Sequence, residues 1–465
     1  MMSYFSPLFI LSYIVLCLVL NHIRDYRLQN IIITLFSLVS YALIDGRLLS
    51  ILIFEILICY FATIFISKYN TNKKLIHNTS IIILLFILFV FKYYNFFVDK
   101  LSVALSLGEI SSLKLIIPLG ISFYTFMGIS YISDLYHGKI SDSSNILSIA
   151  MYLSFFPSIT AGPITKARDF FSQINKPRTI SLNNIGASVQ IMVLGLIKKI
   201  VIADRLSVYV DTVYSCPNAY SGLTLFLASL AYSIQLYCDF SGYSDIAIGT
   251  AKLMGIELKR NFNMPYISRN ISEFWKRWHI SLSEWLQEYL YIPLGGNRKG
   301  RIRTYFNLMA TMILGGLWHG ANMTYLIWGV VHGFALVINK LLFNRKSSSI
   351  SRGNVSQLIS MLFTFLFVNT CWILFRSQSI GQAFNIIYRI ISLSPGINYY
   401  YIYLFIFGLM IIMSLVIVSR TPNRNSFYPI IPTDSIAGKT LLCIFILLIV
   451  VFGYYGNTAF IYAQY

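Results

Sequence analysis

The sequence predicts an all-α polytopic membrane protein, and three observations support that prediction. Of its 465 residues, 57% are hydrophobic and only 11% are charged, and the mean hydropathy is +0.68. A soluble domain typically has about 25% charged residues. Apolar runs at 80–98, 400–418 and 440–456 are long enough to cross a bilayer as helices. The basic residues lie mainly in short loops between such runs, as expected where positive charge stays on the cytoplasmic side.

The apolar segments give the order of the predicted helices. No basic residue precedes the first segment, near 4–20, and Arg24 and Arg27 follow it. This arrangement predicts an uncleaved span with its N-terminus outside the cytoplasm, because a signal peptide carries its positive charge first. Further segments are expected near 31–44, 48–67, 80–98, 113–133, 146–160, 186–204, 223–250, 304–320, 322–342, 355–375, 399–419 and 437–456.

The basic loops constrain how many of these segments cross the membrane. If all of them crossed, some basic loops between 68 and 185 would face outward. The conflict disappears if the short segment 146–160, which runs into the sequence PSITAGP, dips into the membrane and returns. We therefore expect about twelve spans, a C-terminus outside the cytoplasm, and one integral membrane domain over 1–465.

The net charge of +19 raises the question of nucleic acid as a partner. Because the basic residues follow the pattern of cytoplasmic membrane loops, no nucleic-acid partner is expected, and membrane lipid surrounds the chain. The six cysteines are scattered without C-x-x-C spacing, mostly inside apolar runs, so they are interpreted as small buried hydrophobic residues.

Residues 271–303 differ from the other segments. Apolar residues recur at helical spacing with charged residues opposite them, which predicts one amphipathic helix with His279 at the edge of its apolar face. The basic loop at 296–303 follows. Composition alone favours a cytoplasmic anchor for this loop, and a clamp for a phosphate-rich ligand is the alternative. The apolar set is Ile271, Phe274, Trp275, Trp278, Leu282, Trp285, Leu286 and Tyr289.

Two histidines, His319 and His332, lie in the apolar stretch 315–333. On one continuous helix they would not share a face, and no acidic residue lies between 289 and 433, so no metal site is expected there. Each is either a hydrogen-bonded helix contact or a general base. The residues alone leave a membrane enzyme and a transporter open.

Several motifs together resemble the membrane-bound O-acyltransferase (MBOAT) superfamily, in the bacterial branch that O-acetylates surface polymers. The resemblance covers about 115–335. The motifs are IPLGISFYTFMGISYISDLYHG (117–138), SFFPSITAGPI (154–164), QLYCDFSGYSDIAIGTAKLMGIELKRNFNMPY (235–266), EFWKRWHISLSEWLQEYLYIPLGGNRKG (273–300) and GGLWHGANMTYLIWGVVHG (315–333).

The resemblance implies a helical bundle that encloses a central tunnel, entered by an acyl-coenzyme A from the cytoplasm. It implies that His319 is catalytic and that His279 is the second important histidine, and it leaves His332 as a structural or tunnel-lining residue. It implies no individual role for the polar residues of the DFSGYSD motif. It also makes the basic loop a contact for coenzyme A, through Asn297, Arg298, Lys299 and Arg301.

The expected activity is transfer of an acetyl group from cytoplasmic acetyl-CoA across the inner membrane to an exported polysaccharide, an alginate-like polymer or peptidoglycan. No metal cofactor is expected. A periplasmic or extracellular O-acetyltransferase or the polysaccharide itself would be the partner. The alternatives are the D-alanyl transfer component of teichoic acid modification and a transporter without acyl chemistry. The stretch YIPLGGNRKG favours the acetyl branch.

The C-terminal sequence FIYAQY suggests one more catalytic residue. It resembles a Phe-Ile-Tyr-x-x-Phe ending found in this branch and in the partner protein of the D-alanylation system, where the tyrosine carries the acyl group. Tyr462 is therefore expected to accept the acyl group and pass it on. The final position here is Tyr465 in place of Phe.

Overall fold

The structure is a computed structural model that describes residues 7–44, 46–105, 115–140, 145–178, 182–343, 354–401 and 436–456. The regular elements in these ranges are helices, so the all-α prediction is confirmed. They are α1 Pro7–His22, α2 Tyr26–Ile44, α3 Gly46–Lys68, α4 Lys73–Lys92, α5 Tyr94–Leu105, α6 Ile121–Tyr136, α7 Ile146–Ser154, α8 Phe156–Ile159, α9 Ala167–Ile174, α10 Leu182–Leu196, α11 Asp204–Ser215, α12 Gly222–Leu253, α13 Ile271–Trp275, α14 Ile280–Leu286, α15 Gly300–His319, α16 Met323–Phe343, α17 Asn354–Arg376, α18 Ile380–Ile391 and α19 Ile436–Phe452.

Two π-helical stretches interrupt or extend these helices. One joins α10 to α11 and the other follows α14. Among the described residues, seven helical stretches are long and apolar enough to cross a membrane, which makes the chain a multi-pass membrane protein. These are Tyr26–Ile44, Gly46–Lys68, Lys73–Lys92, Ile185–Ser215, Gly222–Leu253, Met323–Leu342 and Asn354–Arg376. The π-helical stretches are Ile197–Ala203 and Gln287–Tyr291.

The chain divides into two compact units, Met1–Ser188 with Ala247–Lys259, and Val189–Ile246 with Arg260–Tyr465. In the first unit α3 packs against α4, α6 and α7. The segment predicted to dip into the membrane forms the short helices α7 and α8, which break at Phe155 and are each too short to span a bilayer. The single domain expected over the whole chain stays a prediction.

In the second unit α15 and α16 form a tightly packed helical hairpin. A Cβ on Gly329 would lie 2.5 Å from the backbone oxygen of Met312, and one on Gly316 would overlap the backbone oxygen of Tyr325. Only glycine at these two positions lets the helix backbones approach so closely. The hairpin reverses directly after His319, so His319 and His332 belong to different helices.

The prediction of one continuous amphipathic helix over 271–289 is wrong. The helix stops at Trp275, and the chain turns through His279, whose φ of 42° is left-handed, before α14 begins. The apolar pattern still selected the buried side chains, since six of the eight are at most 7% exposed. His279 itself is fully buried and does not lie at the edge of an apolar face.

Candidate active site

His319 ends α15 among aromatic rings. Its side chain is 3% exposed. Three rings meet the imidazole edge to face, at centroid distances of 5.1 Å for Trp318, 5.2 Å for Trp328 and 5.2 Å for Phe375. Such a setting excludes water and strengthens any hydrogen bond that the imidazole makes.

His279 is held by a side chain from outside its own helices. Its Nδ1 lies 3.1 Å from Oδ1 of Asn261. The same oxygen accepts hydrogen bonds from the backbone N–H of Ser281 at 3.1 Å and from its hydroxyl at 2.9 Å. Because this oxygen is an acceptor, we assign the ring proton to Nδ1, which leaves Nε2 as the acceptor nitrogen.

Burial lowers the pKa of His279 to about 3. The imidazole is therefore neutral at physiological pH. An imidazole with so low a pKa is a weak base, but the lone pair on its Nε2 can accept a hydrogen bond. The hydrogen bond from Nδ1 to Asn261 fixes the orientation of this ring, which suits a positioning role for His279.

One indole connects the two histidines that the motifs single out. The ring of Trp318 lies 5.9 Å from the ring of His279 and 5.1 Å from that of His319. The side chains come from two segments 40 residues apart, yet they contact the same ring. The structure therefore brings His279 and His319 together within one buried aromatic region.

His332 joins the same region from α16. It is fully buried, and its ring centroid lies 4.6 Å from that of Trp328, which also contacts His319. In the described part of the chain, no group of three or more His, Cys, Asp or Glu residues is arranged to hold a metal ion.

The DFSGYSD motif acquires a structural role through two adjacent lysines. Lys199, on the π-helical stretch, lies 2.5 Å from a carboxylate oxygen of Asp239 and 2.8 Å from one of Asp204. Lys198 lies 2.5 Å from Asp245. Both aspartates of the motif are therefore held in ion pairs with the neighbouring helical stretch.

Two glycines make this alignment possible. A Cβ on Gly195 would lie 2.6 Å from the backbone oxygen of Gly242, and one on Gly242 would lie 2.7 Å from the backbone oxygen of Gly195. The backbones therefore touch at this point, which puts the lysines within reach of the carboxylates on α12. A π-helical stretch shifts side chains around the helix and is frequent at functional sites.

Of the residues predicted to bind the cofactor, Asn297, Arg298 and Lys299 lie in the loop before α15, and Arg301 lies in the first turn of α15. Arg298, Lys299 and Arg301 are exposed and form no ion pair with a described residue. Asn297 instead accepts hydrogen bonds from Tyr291 and from Lys340, the latter at 2.7 Å. The contact with coenzyme A stays a prediction. Tyr462 lies outside the described residues.

Comparison with known proteins identifies the family. The family model described as MBOAT, membrane-bound O-acyltransferase family, matches residues 45–374. A probable alginate O-acetylase of Pseudomonas syringae pv. tomato is 39% identical over 389 residues, covering 82% of this chain and 74% of the relative. A peptidoglycan O-acetyltransferase of Helicobacter pylori is 34% identical, covering 84% and 78% respectively.

This chain belongs to the membrane-bound O-acyltransferase family. It is an O-acyltransferase with several membrane spans. A more distant similarity connects it to a teichoic acid D-alanyltransferase of Bacillus subtilis, which is 29% identical and covers 55% of this chain and 67% of the relative. The range that the family model matches, 45–374, includes both His279 and His319.

For an O-acyltransferase, the arrangement offers two imidazoles beside one indole in a dry environment. An unprotonated ring nitrogen of either imidazole can take the proton of a hydroxyl group, and the other imidazole can help to fix the surrounding rings. The roles of Asn261 and Trp328 in this region, and the ion pairs of Lys198 and Lys199, were not predicted from the sequence. The two lysines carried a signal, because an adjacent pair inside the apolar segment 186–204 requires acidic partners.

Proposed function

We propose that this O-acyltransferase moves an acetyl group from cytoplasmic acetyl-CoA across the inner membrane, for esterification of hydroxyl groups on an exported polysaccharide. The observation that supports this most directly is the pairing of His279 and His319 around Trp318 inside the family-matched region. The acetyl group is favoured over D-alanine because the relatives named O-acetylase or O-acetyltransferase are more similar and cover more of the chain.

In this mechanism His319 is the general base. The imidazole takes the proton of the attacking hydroxyl, and the oxygen bonds to the thioester carbonyl carbon. The carbon–sulfur bond then breaks, and the coenzyme A thiolate leaves and takes up a proton. His279 acts as a positioning residue: its Nδ1–H donates a hydrogen bond to Oδ1 of Asn261, and its ring contacts Trp318 beside the base.

The first hydroxyl to accept the group is proposed to be that of Tyr462. An acetyl ester on this tyrosine would divide one transfer across the membrane into two steps. The second step would pass the acetyl group to a periplasmic or extracellular O-acetyltransferase, or directly to an alginate-like polymer or peptidoglycan. Arg298, Lys299 and Arg301 would attract the phosphates of coenzyme A from the cytoplasmic side.

The test is His319→Ala in the full-length protein expressed in cells. Base-released acetate from surface polymer should fall about 10²- to 10⁴-fold, because general-base catalysis contributes about that much. His22→Ala, which alters an exposed histidine, is the matched control and should retain wild-type acetate. Mass spectrometry of the purified wild type after labelled acetyl-CoA should find acetyl on the C-terminal peptide containing Tyr462.

Three results would overturn parts of this proposal. Near wild-type acetate in His319→Ala would remove that residue from the mechanism. Release of D-alanine in place of acetate would favour the alternative named by the Bacillus subtilis relative. An unlabelled Tyr462, together with full activity of Tyr462→Phe, would exclude the tyrosyl ester.

A further inference from the structure

The aromatic region beside His319 contains buried polar atoms that no described residue satisfies. Neither ring nitrogen of His332 has a hydrogen-bond partner among the described residues. The same holds, within that part of the chain, for the indole nitrogens of Trp275, Trp328 and Trp372. All of these atoms are buried, and His332 as a whole is 0% exposed.

These four side chains form one cluster. The ring of His332 lies 4.6 Å from Trp328, 5.3 Å from Trp275 and 6.4 Å from Trp372. Trp328 in turn lies 5.7 Å from Trp275 and 5.8 Å from Trp372. The ring of Trp328 also lies 5.2 Å from that of His319. The unsatisfied atoms therefore belong to Trp328, which contacts the proposed base His319, and to three side chains that contact Trp328.

Such a concentration needs a physical explanation. Leaving one buried donor or acceptor without a partner costs about 1–3 kcal/mol, and native proteins contain few such groups. At the position of His332, phenylalanine would keep an aromatic ring and bury no polar atom. The rings around His332 also include Phe274 and Phe367, so the region readily accommodates apolar aromatic side chains.

The donor set also indicates what chemistry would fit. An indole N–H is a donor only, whereas a neutral imidazole has one donor and one acceptor. The indoles carry no charge, so they complement a neutral group with oxygen acceptors better than a phosphate or carboxylate. The oxygen of a carbonyl or of a hydroxyl can accept hydrogen bonds from these donors, and a hydroxyl bound in this way keeps its proton for a neighbouring base.

We propose that Trp275, Trp328, Trp372 and His332 form a binding site for a neutral oxygen-bearing group of the substrate, placed next to His319 during acyl transfer. His332 is the positioning residue of this site. The inference rests on the proposed function, since it assumes that His319 is where the reaction occurs. The group is either the acyl carbonyl of the donor or the hydroxyl of the acceptor.

His332→Phe in the full-length protein separates this role from packing. The change keeps an aromatic ring and removes both nitrogens. We expect a thermal midpoint in detergent equal to or above that of the wild type, together with an about 10- to 100-fold loss of polymer-bound acetate in cells. His332→Gln, which retains a donor and an acceptor, should recover part of that activity.

Binding of acetyl-CoA to the purified variant distinguishes the two sources of oxygen. An about tenfold weaker acetyl-CoA affinity assigns the site to the acyl carbonyl. Unchanged acetyl-CoA affinity with reduced transfer assigns it to the acceptor hydroxyl. Trp328→Phe and Trp372→Phe each remove one N–H. Each should change acetyl-CoA affinity and acetyl transfer in the same direction as His332→Phe, but by a smaller factor.

His77→Phe is the matched control. This histidine also stacks on an aromatic ring, at 4.5 Å from Tyr136, but its nitrogens lie 2.9 Å from Asn78 and 3.3 Å from Ser133. It should therefore lose stability and keep activity, the reverse of His332→Phe.

Two outcomes would overturn the inference. Wild-type acetate in His332→Phe would show that the nitrogens bind nothing that the reaction needs. A lowered thermal midpoint in His332→Phe and in both tryptophan variants would show that the nitrogens stabilise the fold instead. His319→Ala, measured in parallel, keeps the two proposals apart, because full activity there contradicts the proposed function whatever His332→Phe does.

Discussion

Buried polar groups in the second unit differ in whether they have a partner within the described part of the chain. Around Lys199 the charged groups have partners within the chain, since its ammonium contacts Asp239 and Asp204 and is only 5% exposed. Around His332 the polar nitrogens are neutral and meet aromatic rings, without a hydrogen-bond partner among the described residues. Lys199 and His332 themselves each lie on a long apolar helical stretch.

The difference follows from the cost of burial. A charge without a counterion is far more costly to bury than a neutral nitrogen, so the chain must satisfy a buried lysine itself. An unsatisfied neutral nitrogen costs little enough to be retained where a ligand binds. The comparison therefore assigns the lysine–aspartate network to the framework and the histidine–tryptophan cluster to binding.

The largest expected effect comes from breaking the charged network. Lys199→Met should leave Asp204 and Asp239 buried without their shared cation, and removing one partner of a buried ion pair costs about 3–5 kcal/mol. We expect a sharply lower yield of monodisperse protein and a lower thermal midpoint in detergent. Size-exclusion chromatography with a thermal ramp measures both.

Lys198→Met is the matched control for that variant. Its ammonium is 28% exposed and, among the described residues, forms one ion pair, with Asp245, so its removal should cost less. Equal losses in the two variants would contradict the view that burial of the charge determines the effect.

The helices show which features the sequence alone could predict. Helices α3 and α17 lie within two residues of the segments expected at 48–67 and 355–375, because long apolar runs have few other stable structures in a membrane. The short helix α18 was not anticipated. It has only 12 residues, with apolar residues on one side, and lacks the length that marks a span.

The site shows where sequence reasoning stops. The motifs singled out His279 and His319, but the helix break at His279 was missed because the local apolar pattern is helical throughout. The left-handed turn depends on Asn261, 18 residues earlier in the chain. Likewise, the neighbours of His332 come from three separate helices, and only the fold brings them together.

A medium effect is expected at His279, which resembles His332 in burial but has a partner. Asn261→Leu removes the acceptor shared by Nδ1 of His279 and by Ser281. Because buried donors then lose their partner, the variant should lose about 1–3 kcal/mol of stability. Activity should fall as well, since the proton on the His279 ring is no longer fixed.

Thermal unfolding and polymer-bound acetate, measured on the same variant, test this expectation. Asn261→Gln retains a neutral amide with an oxygen acceptor and should remain closer to the wild type. If Asn261→Leu matched the wild type in both measurements, the hydrogen bond to His279 would have no role in holding the site, and the contrast with His332 would disappear.

The smallest effect is expected at Glu273, which also forms ion pairs, but with arginines that are more exposed to solvent than Lys199. Its carboxylate accepts hydrogen bonds from Arg269 at 3.1 Å and from Arg277 at 2.9 Å, and it lies on the helix that carries Trp275. Burial raises the pKa of this carboxyl, but the hydrogen bonds from the two arginines outweigh it and hold the pKa below 4.5. Exposed pairs of this kind contribute about 0.5 kcal/mol.

The pH dependence of that contribution has a definite sign. A carboxyl with a lowered pKa in the folded state stabilises the protein above its unfolded pKa of 4.5, and the stabilisation is lost as the pH falls through the folded value. The thermal midpoint of Glu273→Gln should therefore lie slightly below that of the wild type at pH 7, with the gap closing below pH 4.5. High salt should also narrow it. If the difference in thermal midpoint between Glu273→Gln and the wild type widened in acid, the lowered pKa of Glu273 would be contradicted. If that difference at pH 7 were as large as for Lys199→Met, the distinction between buried and exposed ion pairs would be wrong.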